Sequence, residues 1–468
     1  MIESQGQIAQ SQENQDIQVV QQRPSDCLKR AFIKRMILIA KQIPQTPTLA
    51  DIEAVRVDVP HLEVATVLQD WLSDEDLSWP FTRLAQYWKE QGVYAKAQPW
   101  YEQCLSVVRD RLGDHPSTAT SFNNLAALYE LQGRYEEAEP LFLQALEIYK
   151  RQLGDDHPFT ATSLGNLAAL YRSQGRYEEA EPLYQRALEI DSRMLGDDHP
   201  STATSLGNLA ALYRLQGRYE EAEPLYQKAL EIDSRMLGDD HPSTATSLSN
   251  LAALYQSQGL YGEAEPLFLQ TLKIRQRRLG DDHPHTASSL GNLAGLYRSQ
   301  GRYEEAEPLF LQALEIYKRQ LGDDHPFTAT SLGNLAALYR SQGRYEEAEP
   351  LYQRALEIHK RVLGDDHPST ATSLGNLAEL YGFQGHYEVA EPLYQRALEI
   401  DKRVLGDDHP GTAIDLSNLA ALYKSQGRYS EAKPLYQKAL RIAEQRLGPN
   451  HPHTIAVRNS LDRLRSQQ

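Results

Sequence analysis

A 42-residue beat governs what this chain can fold into. His-Pro pairs place histidines at 115, 157, 199, 241, 283, 325, 367, 409 and 451, each 42 residues after the last. A fixed period of roughly 20–50 residues marks a solenoid, in which each unit buries its apolar face only against its neighbours. Residues 132–190 recur unchanged at 300–358, four periods later, which points to duplication of a block of several repeats.

One period reads as two helices. Pro158 suits the first helical position, where its missing N–H is no loss, and His157 is then the N-cap. Leu164, Leu167, Ala168 and Tyr171 follow at the 3/4 spacing of a helix face. Gly175 breaks that run. Tyr177, Ala180, Leu183, Tyr184, Ala187, Leu188 and Ile190 carry a second one, and Gly196 offers a left-handed C-cap. Each unit is therefore expected to be a helical hairpin, with Ala168 and Ala180 letting the helices approach and Tyr171 and Tyr184 filling the space beside them. A proline recurs inside every second helix, from Pro140 and Pro182 to Pro434. If the helix starts near Tyr177, Pro182 forfeits about one hydrogen bond near the first turn, which is tolerated.

The order Leu167, Ala168, Tyr171, Gly175, Ala180, Tyr184, Ala187 resembles the tetratricopeptide repeat. The 42-residue length, with Leu-Gly-Asp-Asp-His-Pro and Gln-Gly-Arg-Tyr-Glu-Glu-Ala-Glu-Pro-Leu-Tyr, is similar to the kinesin-light-chain-like branch of that family. The resemblance covers about residues 83 to 460. It implies an all-α fold, a right-handed superhelical α-solenoid of tetratricopeptide hairpins, and a concave surface lined by the first helix of each unit. The first 80 residues show no sustained heptad pattern of the kind that joins light chains to a heavy chain, which argues against kinesin transport. Some relatives carry a signalling NTPase domain before the repeats, but no Gly-x-x-x-x-Gly-Lys-Ser/Thr loop occurs here.

Composition shifts divide the chain. Residues 1–26 hold eight glutamines and few apolar groups, and are expected to be disordered. Residues 27–47 bring Lys29, Arg30, Lys34, Arg35 and Lys41 among apolar residues, a basic amphipathic helix. Such a helix suits either packing on the first repeats, the favoured reading, or weak contact with a membrane surface. Residues 48–79 form a helical lead-in with stretches near Thr48–Val57 and His61–Leu72. Residues 80–113 are a degenerate capping repeat with Arg83 in place of the later asparagines, 114–449 hold eight regular repeats, and 450–468 form a polar closing helix.

The formal charge of −16 disfavours broad nucleic-acid binding. Two cysteines, Cys27 and Cys104, give no disulfide framework and fit a reducing compartment. A cytoplasmic protein without cofactor is expected, its oligomeric state open. Repeated Asp-Asp-His invites a metal reading, but successive copies lie on successive units, too far apart to share an ion, and capping explains them better. No serine–histidine–acid or cysteine–histidine arrangement stands out, so no catalytic residues are assigned and an enzyme is not expected.

Function is expected on the first helices. The face opposite the hairpin seam carries an asparagine ladder: Asn124, Asn166, Asn208, Asn250, Asn292, Asn334, Asn376 and Asn418. Beside it runs a partly basic row, Arg172, Arg214, Arg298, Arg340 and Lys424, interrupted by Glu130, Gln256 and Gly382. A primary amide both donates and accepts, so it can pair with an extended backbone whatever its sequence. Arginine beside it can take carboxylates in a two-pronged fashion. The resemblance implies the same, since asparagines at this helix position contact bound peptides in the family. The chain is thus expected to be a protein-interaction scaffold that holds extended acidic or neutral segments in its groove. The alternatives are a structural spacer or self-associating solenoid with an idle groove, and a membrane-tethered signalling adaptor. An asparagine that braces its neighbouring repeat's backbone is the competing account of the ladder.

Overall fold

The computed structural model describes residues 24–42 and 54–466, and among these every regular element is helical. The glutamine-rich stretch lies outside the described residues apart from 24–26, as does the start of the helix expected from Thr48. The chain divides into two compact units, one of residues up to 90 with 95–113, the other of 91–94 with everything from 114.

In the first unit, helix Pro24–Gln42 turns its apolar arc inward. Ile33, Met36, Ile37, Ile39 and Ala40 are buried against Leu62, Phe81, Leu84 and Cys104. Its bases are engaged too. Lys29 and Arg30 lie over the Trp71 ring at 5.2 and 5.8 Å, and Lys41 reaches the Asp76 carboxylate at 2.8 Å. A membrane surface would find mainly Leu28 and Leu38 exposed on this helix. The lead-in helix runs Val59–Val67 and is followed by a single 3-10 turn, Gln69–Trp71, so the helix expected over His61–Leu72 starts earlier and ends earlier. Residues 54–55 are helical and 56–58 form a turn, so Pro60 follows the break between two helical stretches and sits within the first turn of the second, where no N–H is required.

In the second unit eight hairpins follow the sequence beat. Their first helices are Pro116–Leu131, Pro158–Ser173, Pro200–Leu215, Pro242–Ser257, Pro284–Ser299, Pro326–Ser341, Pro368–Phe383 and Pro410–Ser425. The second helices are Tyr135–Leu153, Tyr177–Leu195, Tyr219–Leu237, Tyr261–Leu279, Tyr303–Leu321, Tyr345–Leu363, Tyr387–Val404 and Tyr429–Arg446, and helix Pro452–Arg465 closes the array. These hairpins are numbered repeats 1 to 8.

Local chemistry sets each boundary. His157 has extended backbone, and its Nδ1 accepts the Phe159 N–H at 3.1 Å, one of the donors a helix start leaves unpaired. The aspartates before it do not cap. Asp156 instead pairs with Arg186 at 2.7 Å and with Arg193, both on the following second helix. Asp156 therefore locks its loop to the hairpin's second helix, because Arg186 and Arg193, about two turns apart, reach the same side. At the other end of the first helix, Gly175 takes φ +68°, the Arg176 N–H donates to Tyr171 O at 2.8 Å and the Gly175 N–H to Arg172 O at 3.0 Å. That pair of bonds closes the helix and needs a left-handed residue between them. Pro182 lies sixth in its helix and forgoes one ladder bond.

Ala168 and Ala180 are fully buried between the hairpin's helices, with Tyr184 1% exposed beside them. The superhelix also returns onto itself. The ring of His367, which opens repeat 7, lies 3.1 Å through Nε2 from the Leu131 carbonyl of repeat 1, across 236 residues of sequence. Nδ1 of this ring accepts the Ser369 N–H at 3.0 Å, so Nε2 carries the proton and donates to that carbonyl.

Candidate peptide-binding groove

The first helices of successive repeats approach one another directly: Pro158–Ser173 touches Pro200–Leu215, which in turn touches Pro242–Ser257. This contact places them on the inner side of the curve, with second helices outside. The asparagine ladder rides on that inner set. Asn124, Asn166, Asn208, Asn250, Asn376 and Asn418 are half-buried, and Asn292 and Asn334 are exposed. Asn292 donates to Ser249 Oγ at 3.5 Å in the preceding repeat. Among the described residues the other ladder amides make no hydrogen bond within the protein, so none of the eight braces a neighbouring repeat's backbone and Asn292 alone bonds a neighbouring side chain.

Asn334 and Asn376 open onto one cavity of about 260 Å³ between repeats 6 and 7. Thr330, Gly333, Ser369 and Thr372 complete its polar wall, with Tyr352 and His359 at its floor. His359 is buried and its Nδ1 lies 2.8 Å from Ser373 Oγ; burial holds its pKa below the usual value. The Tyr352 hydroxyl is buried without a hydrogen-bond partner. Desolvation pushes its pKa up to about 12, so it stays a neutral phenol able to donate.

The basic row is less free than the sequence suggests. Arg340 pairs with Glu379 of the next repeat, and that carboxylate stands where other repeats have the small residue of Ala337 or Ala421. Arg172 stands beside Glu130, whose carboxylate accepts Ser173 Oγ–H at 3.0 Å and is driven upward in pKa by burial. Arg298 is desolvated enough that its pKa falls. Arg214 Nη1 reaches Ser257 Oγ at 3.4 Å while its Nε is buried and unpartnered. Lys424 is half-buried. The groove is therefore a mixed-charge channel and not a uniformly cationic one. Glu379 is visible in the sequence as a single departure on the groove face, and it is the signal that the sequence reading passed over.

The outer acids are also committed. Glu139 accepts the Tyr171 hydroxyl at 2.9 Å and Arg176 Nη1 at 2.7 Å, while Arg176 bonds Glu179 at 2.6 Å and lies 3.9 Å over the Tyr171 ring. Tyr213, Glu181, Arg218 and Glu221 repeat the arrangement, as do Tyr423, Glu391, Arg428 and Glu431. Tyrosines assigned to the core by spacing thus also join adjacent repeats through their hydroxyls.

Among the described residues no group of three or more histidine, cysteine or acidic side chains is placed to hold a metal ion, and no helix is long and apolar enough to cross a membrane.

Known proteins with this pattern are plentiful among structures. A crystal structure of a putative kinesin light chain from Podosopora anserina, with nearly identical repeats, is 31% identical, covering 44% of this chain and 97% of that one, at a TM-score of 0.38. The BtubC (BKLC) protein of P. vanneervenii is 25% identical, over 49% of this chain and 91% of that chain, at 0.39. A Rap protein complexed with competence and sporulation factor aligns with 75% of this chain and 98% of its own at 16% identity and 0.45. No curated protein sequence matches the chain. The tetratricopeptide repeat pattern matches in overlapping segments from 77–151 and 123–193 through 387–445 and 416–468, spanning all eight hairpins and the closing helix. With the hairpin geometry and this match, the chain belongs to the tetratricopeptide repeat family.

Proposed function

We propose that this protein is a non-catalytic interaction scaffold that holds an extended partner segment along the inner face of its superhelix. The observation that carries the reading is the row of asparagine amides on that face, seven of them without a hydrogen bond inside the protein. An amide held at a half-buried position but left unpaired is ready to exchange its water for a peptide N–H and C=O. Repetition every 42 residues presents such amides as a ladder, which suits a chain and not a compact small molecule.

Charge refines the partner. Glu379 and Glu130 offset Arg340 and Arg172, so the groove favours a largely neutral segment, with acids tolerated near Arg214 and Lys424. The cavity under Asn334 and Asn376 offers a foothold, and its Tyr352 hydroxyl asks for an acceptor such as a side-chain amide oxygen. A cytoplasmic location belongs to the same reading.

Peptide display against the full chain tests it, followed by titration of selected peptides into wild type and an Asn166, Asn208, Asn334, Asn376→Ala variant. Helicity by circular dichroism confirms that both fold. Binding weakened by about tenfold or more in the folded variant, the loss of one or two groove hydrogen bonds, supports the groove. Equal binding by both proteins overturns it.

A further inference from the structure

The edge at which the superhelix meets itself repeats all along the array, and only part of it is used. Each hairpin has two rims: the Gln-Gly turn between its helices, and the His-Pro start of its first helix. The turn of repeat 1 meets the start of repeat 7, so closely that a Cβ placed on Gly133 would lie 3.0 Å from Pro368 and 3.2 Å from the His367 ring. At Gly175 of repeat 2 the same atom would meet the His409 ring at 2.6 Å and Pro410 at 2.8 Å, and at Gly217 of repeat 3 it would meet His451 at 2.9 Å. The backbone carbonyls of Leu131 and Ser173 receive the His367 and His409 rings.

The later turns have no such neighbour. At Gly259, Gly301, Gly343, Gly385 and Gly427 an added Cβ meets nothing within 4 Å, and all five glycines are exposed. On the opposite rim His157, His199 and His241 are half-exposed.

The duplicated block makes the comparison direct. Residues 132–190 and 300–358 are identical, yet they use opposite rims. In the first copy Gly133 and Gly175 are engaged and His157 is half-exposed; in the second Gly301 and Gly343 are exposed while His325 is buried at 5%. Tyr177 is buried at 7%, whereas its twin Tyr345 is only half-buried. Chemistry on the unused rims also suits contact. Met194 and Met236, 51% and 52% exposed, occupy the position at which Arg446 stands beside Tyr177 and Glu179 in the engaged edge.

We propose that a second copy of this chain continues the superhelix, its His-Pro rim seating on the Gly-bearing turns of repeats 4 to 8 just as repeats 7 and 8 seat on repeats 1 and 2. The occupant is specified by continuity: the surface that fits these turns already fits their sequence twins within one chain. Because the two rims differ, the contact is head-to-tail and does not close on itself, so it builds dimers and then linear stacks. It uses the hairpin rims and leaves the groove asparagines untouched, independent of peptide binding.

Sedimentation velocity of the full chain across micromolar concentrations tests this directly. Wild type is expected to gain mass with concentration. Two rim variants are expected to stay monomeric: Ser299→Glu, Ser341→Glu and Ser425→Glu on the turn rim, and Pro158→Glu, Pro200→Glu and Pro242→Glu on the start rim, where an acid at a helix N-terminus is well tolerated. Mixed together, the two variants retain one good rim each, and are expected to form a one-to-one dimer and nothing longer. A wild type that keeps monomer mass throughout overturns the proposal, as does a folded rim variant that associates like wild type or a mixture that stays monomeric. If one variant fails to fold by circular dichroism, the other still decides the matter.

Discussion

The hydroxyl of Tyr171 donates to the carboxylate of Glu139 at 2.9 Å, joining the first helix of repeat 2 to the second helix of repeat 1. Arg176 completes the join from the other side, bonded to the same carboxylate and lying over the same ring. Because a solenoid's cooperativity resides in such neighbour contacts, loss of the hydroxyl should loosen the interface and not the hairpin. Tyr171→Phe is expected to cost about 1.5 kcal/mol, the lower end for a hydrogen bond to a charged acceptor, since this one is partly solvated. Urea unfolding should show a lower midpoint; an unchanged midpoint would mean that Arg176 alone satisfies Glu139.

Repeat 4 supplies the reverse experiment. Tyr255 still donates to Glu223 at 2.9 Å and Glu263 is present, but Leu260 replaces the arginine. That leucine is 42% exposed, so little packing is lost by changing it. Leu260→Arg should restore the stacked cation between two waiting carboxylates and raise stability by about 0.5–1 kcal/mol. A salt titration checks the origin of the gain, which should shrink as ionic strength rises.

How much of this was legible depends on range. Helix starts at His157-Pro158, ends at Gly175 and the alanine seam of Ala168 and Ala180 follow from spacing and local backbone chemistry, and the sequence exposes all of them. Tyr171 defeats spacing arguments, since an aromatic at a core position has a hydroxyl whose partner lies in another repeat. Asp156 defeats motif arguments, because an acid beside a helix start suits capping until Arg186 and Arg193 are placed near it. The meeting of His367 with Leu131 is set by a small rotation accumulated over six repeats, which no local pattern encodes. On the groove, the asparagines were readable as a stripe, whereas their lack of internal partners and the cancelling of Arg340 by Glu379 needed coordinates.

The junction between repeats 7 and 8 carries a destabilising pair. Second-helix Asp191 and Asp233 each accept a serine hydroxyl at 2.6 Å, from Ser205 and Ser247. At the corresponding place Asp401 faces Asp415, both buried, and each has a carboxylate oxygen without a partner. Burial, and for Asp415 the charge of Asp401 beside it, raises both above the ordinary carboxylate range, so the pair holds a proton that the unfolded chain would release. A raised folded pKa gives stability that is complete at low pH and lost as pH climbs through it. Asp415→Ser, which restores the serine of the other repeats, should therefore stabilise by about 1–2 kcal/mol near about pH 8, with the gain shrinking toward about pH 5. A gain that does not vary with pH would assign it to packing instead.

The opposite sign applies where the superhelix meets itself. His367 and His409 are held by burial at a pKa of about 4, below the ordinary 6.5. Their neighbours reinforce this, since His359 lies near His367 and Arg446 near His409. Each Nδ1 is also occupied as an N-cap acceptor, from Ser369 N–H and Gly411 N–H, so protonation would sacrifice a capping bond. Between pH 6.5 and about 4 the unfolded chain takes up protons that the folded rings refuse, and stability falls as pH drops through that window. Asparagine caps helices well without titrating there. His367→Asn with His409→Asn should keep both helix starts, lose the ring contacts across the superhelix, and flatten the dependence over that window. Denaturant midpoints at several pH values measure it, and a double variant as acid-sensitive as wild type would place the titrating groups elsewhere.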